Sequence, residues 1–125
     1  MAFTDVADKL LVDLTEAVAV TGHPGYVPGV TVGTYWPDKV NAPTILIGAD
    51  EPFITGGQFF SEYEVHLNAS ILVIDDREQL NKLIATVLLA TTDYALTSVS
   101  APGRITWQMV DYIGAVVSLA LATKL

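Results

Sequence analysis

The stretch EYEVHLNASILVIDDREQL, residues 62–80, decides how the chain is read. Its odd positions, Tyr63, Val65, Leu67, Ala69, Ile71 and Val73, are all apolar, the period-two pattern of a strand laid against a core. Its even positions begin polar, at Glu62, Glu64, His66, Asn68 and Ser70, then turn apolar at Leu72 and Ile74. A strand with one wet face normally keeps that face polar. The second half therefore needs a cover that the first half does not. Asp75 ends the strand, Asp75-x-x-Glu78 has the form of a capping box, and Asp76 adds a second acid at the helix start. Leu80, Leu83, Ile84, Val87 and Leu88 follow at helical spacing. The stretch is a strand that runs into a helix.

Working outward, residues 3–20 predict a helix, with Thr4 as N-cap and Val6, Leu10, Leu14 and Val18 along one face. Gly22 and Pro24 stop it, and GHPGYVPG, residues 22–29, is a loop. Val30–Trp36 alternates like a strand, and Thr44–Ile47 is a short β-branched strand. Residues 48–60, bent at Gly56-Gly57, are expected to be the long loop of a hairpin leading into residue 62. After the second helix, Ala95–Ser100 is a short strand, Ala101-Pro102-Gly103 a turn or bulge, and Met109–Leu121 a long final strand. Strand character restarts at Ile105 and Trp107. The element order is α-β-β-β-α-β-β. Two helices on one face of a mainly antiparallel sheet make an α+β sandwich, and residues 1–125 are expected to form one domain.

Composition narrows the function. Apolar residues make up 51% of the 125 positions and charged residues only 16%, against a usual charged share of roughly 25%. So much apolar surface on a small domain points to burial against another chain. The net charge is −8, and Lys9, Lys39, Arg77, Lys82, Arg104 and Lys124 stand singly. Phosphate binding needs clustered cations, so a tight grip on nucleic acid is not expected. No cysteine is present, which excludes disulfides, thiolate metal sites and Cys nucleophiles. The start of the chain lacks a signal-peptide pattern, and no apolar run is long enough for a bilayer, so a non-secreted protein is expected.

Catalytic patterns are sparse. Glu62, Glu64 and His66 share a strand face at ~6.6–6.8 Å per two residues. A metal gathers ligands from several elements, so a solvated strand face explains this row better than a metal or acid–base site. His23 lies in a Gly/Pro loop, and Gly22, Gly25 and Gly29 match no phosphate-binding motif. Tyr35, Trp36 and Trp107 are the aromatics that a ligand-binding module would use. Phe53, Ile54, Phe59 and Phe60 carry more apolar area than an exposed hairpin loop needs. They either dock on a partner or fold back over their own core.

Three segments carry a resemblance: VTVGTYWPDKVNAPTILIGA, FFSEYEVHLNASILVID with the helix after it, and the closing LTSVSAPGRITWQMVDYIGAVVSLALA. In element order and hydrophobic style the chain resembles the tail terminator proteins of long-tailed, siphovirus-type bacteriophages over residues 3–122. APTILIGA and DYIGAVVSLAL are closest in style to actinobacteriophage members. Neck and head–tail completion proteins are the nearest confusable group. The resemblance implies a virion protein assembled in the host cytoplasm as a homo-oligomeric ring, hexameric in the family. The ring would sit at the head-proximal end of the tail tube, touching the tube protein and the head–tail connector, with DNA passing through. It implies no enzymatic activity and no cofactor.

On that reading, Phe53, Ile54, Phe59 and Phe60 are expected at the tail-tube or subunit interface. Leu72, Ile74 and Val116 are expected at a subunit interface, and Glu62 and Glu64 on the lumen or solvent face. Loop 48–60 is the expected axial contact, and loops 22–29 and 37–43 are candidates for the opposite one. The cover over Leu72 and Ile74 is either a neighbouring subunit or the chain's own closing segment. A reading of a different class is a small metal-binding α+β domain using Glu62, Glu64 and His66.

Overall fold

In a computed structural model, residues 3–34, 40, 42–56, 62–74 and 76–124 are described. Along them run α1 (Phe3–Ala19), β1 (Thr31–Gly33), β2 (Thr44–Gly56), β3 (Glu62–Val73), α2 (Arg77–Ala90), β4 (Ala95–Val99), β5 (Gly103–Trp107) and β6 (Val110–Lys124). The strands form one sheet in the order β1-β2-β3-β6-β4, with β5 also paired to β6. Every pairing is antiparallel except that of β1 with β2. The fold is α+β, as the period-two and helical patterns require.

Both helices cover the same face. Val6, Leu10 and Leu14 of α1 and Leu80, Leu83 and Val87 of α2 are buried against Val65, Leu67, Ala69, Ile71 and Val73 of β3. Neighbouring strands add Ile45, Ile47, Ala115, Val117 and Leu119 to this core. The odd face of the 62–80 stretch is therefore its helix-facing side. α2 begins with Asp76 as N-cap, its carboxylate accepting from the Gln79 N–H at 3.0 Å. The cap lies one residue later than the Asp75-x-x-Glu78 reading, and Asp75 is outside the described residues. α1 starts at Phe3, which places Thr4 inside the first turn and not at the cap.

Two further segments differ from expectation. Residues 48–56 of the expected loop 48–60 are strand, and the rest of it lies outside the described residues. β2 stays paired by bulging: residues 50–53 stand opposite His66 alone, between the pairs Ala49–Leu67 and Ile54–Val65. Pro52 has no N–H for a ladder, and the bulge takes it out of register so that pairing resumes beyond it. The closing segment holds three strands where two were expected, because the chain reverses at Gln108 and Met109.

β4 and β5 together form one interrupted edge along β6. Ser100 spans the break: its N–H donates to the Val116 carbonyl at 2.9 Å, and its hydroxyl accepts from the Val116 N–H at 2.9 Å. β4 is exposed along its whole length and bears neither charge nor proline. Its outer edge meets no further strand among the described residues.

Candidate interaction surfaces

The dry half of the even face is covered from within the chain. Leu72 is buried in a second cluster with Val40, Leu46 and Tyr112, against which Ile105 and Trp107 pack. Gly114 makes this possible. A Cβ there would come 2.6 Å from the Ile71 carbonyl, 2.6 Å from the Ile105 side chain and 2.9 Å from that of Leu72. Of the two covers considered for Leu72, its own closing segment is the one observed, so Leu72 offers no surface to a neighbour. Ile74, in contrast, is 62% exposed. Val116 is half-buried on the even face beside Ser70.

The wet half is polar and half-buried. The His66 Nε2 lies 2.8 Å from the Thr55 hydroxyl, across the end of the bulge, and 3.7 Å from a Glu64 carboxylate oxygen. Glu62 and Glu64 stay partly open on the same face. Among the described residues, no group of three or more His, Cys, Asp and Glu side chains is placed to hold a metal. Glu62, Glu64 and His66 form a polar row with one hydroxyl partner from β2.

The four aromatic-loop candidates divide. Phe53 is half-buried and packs against the main core, and Ile54 is half-buried opposite Val65. Phe59 and Phe60 lie outside the described residues, as do Tyr35, Trp36 and residues 37–39 and 41. Trp107 belongs to the cluster over Leu72.

Two apolar surfaces had no clear mark in the sequence. The first is the β5–β6 arm. The β3–β6 ladder stops at Val73–Ile113, so residues 110–112 continue with β5 alone. Trp107 pairs with Val110, and Gln108 and Met109 make the turn at φ 50° and 64°. A two-residue turn with both φ values positive is type I′, which favours Asn-Gly. Met109 is 99% exposed and Val110 is exposed beside it. On the arm's other side, the Thr106 hydroxyl donates to Asp111 at 2.7 Å, and Arg104 stands 4.0 Å from the same carboxylate.

The second surface is a groove of about 450 Å³ on the helix layer, lined by Ala17, Val20, His23, Pro24, Ala85 and Leu89 among others. Val20 is 56% exposed and Leu89 73%. Loop 22–29 closes one side and is pinned to α2, the Thr86 hydroxyl donating to the Gly25 carbonyl at 3.0 Å. The Gly25 N–H donates to His23 Nδ1 at 3.1 Å, so the neutral ring carries its proton on Nε2. Neither helix has a basic residue in its last turn.

No helix among the described residues is long and apolar enough to cross a membrane. No known family profile matches the sequence, and comparison with curated proteins finds no match.

Proposed function

We propose that the chain is a structural subunit of a ring at the head-proximal end of a phage tail tube, where it stops tube growth and joins the tail to the head connector. The observation that carries this reading is that large apolar side chains are exposed on separate surfaces: Val20 and Leu89 on the helix layer, Met109, Val110 and Ile74 at the other end of the sheet. Two unlike apolar surfaces on one chain are what head-to-tail association needs, and head-to-tail contacts form a ring where the rotation between neighbours closes. The resemblance in element order and the net charge of −8 agree with a ring that lets DNA pass without gripping it. The role is non-enzymatic and uses no cofactor.

Light scattering after size exclusion, for the chain alone and mixed with its tube protein, tests the reading. Rings that cap tube ends in averaged electron micrographs are expected. A chain that stays monomeric at every concentration, and also with the tube protein, overturns it. Rings that bind the connector but not the tube would favour a neck completion protein.

A further inference from the structure

We propose that loop 22–29 is a strap on the helix layer, fastened through His23 at neutral pH and released by acid. A glycine with positive φ stands at each end of it, Gly22 at 82° and Gly29 at 75°, where glycine turns without strain. Val27 anchors the second half of the loop in the main core. The first half is held at Gly25. Its carbonyl accepts from the Thr86 hydroxyl at 3.0 Å, and its N–H donates to His23 Nδ1 at 3.1 Å. The fit is close, since a Cβ on Gly25 would come 2.9 Å from the Thr86 oxygen and 3.3 Å from the His23 ring. The His23 carbonyl accepts from the Tyr26 N–H at 3.1 Å, so ring and glycine sit in one tight turn.

Two features make the fastening reversible. The Thr86 hydroxyl has one proton and two acceptors, the carbonyls of Gly25 and Lys82, each at 3.0 Å. When the loop lifts, Thr86 keeps Lys82. The ring is the second feature. Nδ1 accepts only while it carries no proton, and a doubly protonated ring meets the Gly25 N–H with another N–H. The new charge would also face the groove, where no carboxylate is placed to hold it and the other lining residues of α1, α2 and the loop bear no charge. The charged residues adjoining the groove are Glu16, exposed one turn before Val20 on α1, and Lys82, one turn before Thr86 on α2 and 3.6 Å from Glu78. In the loop, Tyr26 meets the ring edge to face at 6.3 Å between centroids, and Asp76 lies with Glu78 and Lys82 around a separate small cavity beyond Tyr26. Both effects act in one direction. The fastening is complete at neutral pH and above, and it is lost as acid protonates the ring. His23, Pro24 and Gly25 form one wall of the groove, so release opens it. The strap needs no second chain and stands apart from the ring reading.

Amide hydrogen exchange and ring nitrogen shifts, both followed by NMR on the full chain, test this. His23 and His66 are the two histidines, so replacing either one assigns the signals of the other. Between about pH 7.5 and about pH 5, on either side of the imidazole range, the Gly25 amide is expected to lose about tenfold of its protection after correction for intrinsic rates. The amides of Leu83 and Val87 in α2 should keep theirs, which separates release of the loop from unfolding. His23→Asn supplies a side-chain carbonyl that accepts from a backbone N–H two residues on and does not titrate, so it should keep the Gly25 amide protected at both pH values. Gly25→Ala, which crowds Thr86 and the ring, should free the loop at neutral pH and leave no acid response. Equal Gly25 protection at both pH values in the wild type overturns the proposal. So does a proton found on His23 Nδ1 at neutral pH, or a His23→Asn chain that responds to acid as the wild type does. Should Gly25→Ala fail to fold, the wild type and His23→Asn decide between them.

Discussion

The Lys9 ammonium lies 2.7 Å from the Asp93 carboxylate, tying the middle of α1 to the turn that follows α2. The same nitrogen reaches Asp13 at 2.9 Å and the Tyr94 hydroxyl at 3.3 Å, and sits 4.5 Å from the centre of the Tyr94 ring. The Tyr94 hydroxyl donates to Asp13 at 3.1 Å, which closes the group. Replacing Lys9 by Met is expected to cost about 1–2 kcal/mol, chiefly because Asp13 and Tyr94 lose a partner in a half-buried setting. Denaturant midpoints measure it. In a double-mutant cycle with Asp93→Asn, the coupling should stay below about 1 kcal/mol, since Asp93 is largely exposed.

The same group sets an alkaline limit. Burial pushes the Tyr94 hydroxyl up to about 12, with Lys9 pulling the other way. Burial alone would lower the Lys9 ammonium, but its hydrogen bonds to Asp13, Asp93 and Tyr94 outweigh that and hold it above the usual lysine range. Both groups thus hold their protons more tightly in the folded chain than in the unfolded one. Their contribution is complete below about pH 10 and is lost as pH rises beyond it. Urea midpoints measured from pH 9 to 11.5, values chosen to bracket about pH 10, should fall, and Tyr94→Phe should flatten the slope. A midpoint unchanged over that range would contradict the assignment.

Gly114→Ala is expected to destabilise the fold by about 3 kcal/mol, since the Ile71 carbonyl that its methyl would meet is backbone inside the sheet. The second cluster should loosen first, visible as greater solvent exposure of Trp107 fluorescence.

Leu72 and Ile74 should behave oppositely although both belong to the apolar half of one strand face. Leu72→Ala is expected to cost about 2–5 kcal/mol, as a cavity in the cluster under Ile105 and Trp107. Ile74→Ser should stay within about 0.5 kcal/mol in the free chain, because the side chain is open to water. Thermal unfolding of the two variants separates them.

Replacing Gln108-Met109 by Asn-Gly should raise stability by about 1 kcal/mol, because both positions hold positive φ without the residues that tolerate it. The same change removes the Met109 side chain, so the more stable chain should assemble less well. A variant that gains stability and keeps full self-association would show that the tip has no role in assembly.

The strand at 62–73 and the helix after it were legible because buried residues recur there at the two regular periods. The bulge in β2 was not. Pro52 normally ends pairing, and nothing local announces that Ile54–Gly56 will rejoin the ladder beyond it. The turn at Gln108-Met109 was missed for a related reason. It lacks the Gly or Asn that marks a type I′ reversal, so Met109 read as the first residue of a continuous apolar strand. The cover over Leu72 was legible only as a need. Val40, Leu46 and Ile105, which help to meet it, come from segments far apart in the chain. The groove between α1 and α2 left no local mark, since it depends on how two helices and a loop are spaced.

The bare outer edge of β4 has a practical consequence. Among the described residues no strand lies beside the outer edge of Ala95–Val99, a β-prone, uncharged, proline-free segment, and such a segment recruits other extended chains. On the ring reading, the free protein is thus a template for strand addition whenever it accumulates ahead of the proposed partners. Recovery from overproduction should depend on dose: slow expression, or expression together with the partners, should yield folded material, and rapid expression alone should yield β-rich precipitate.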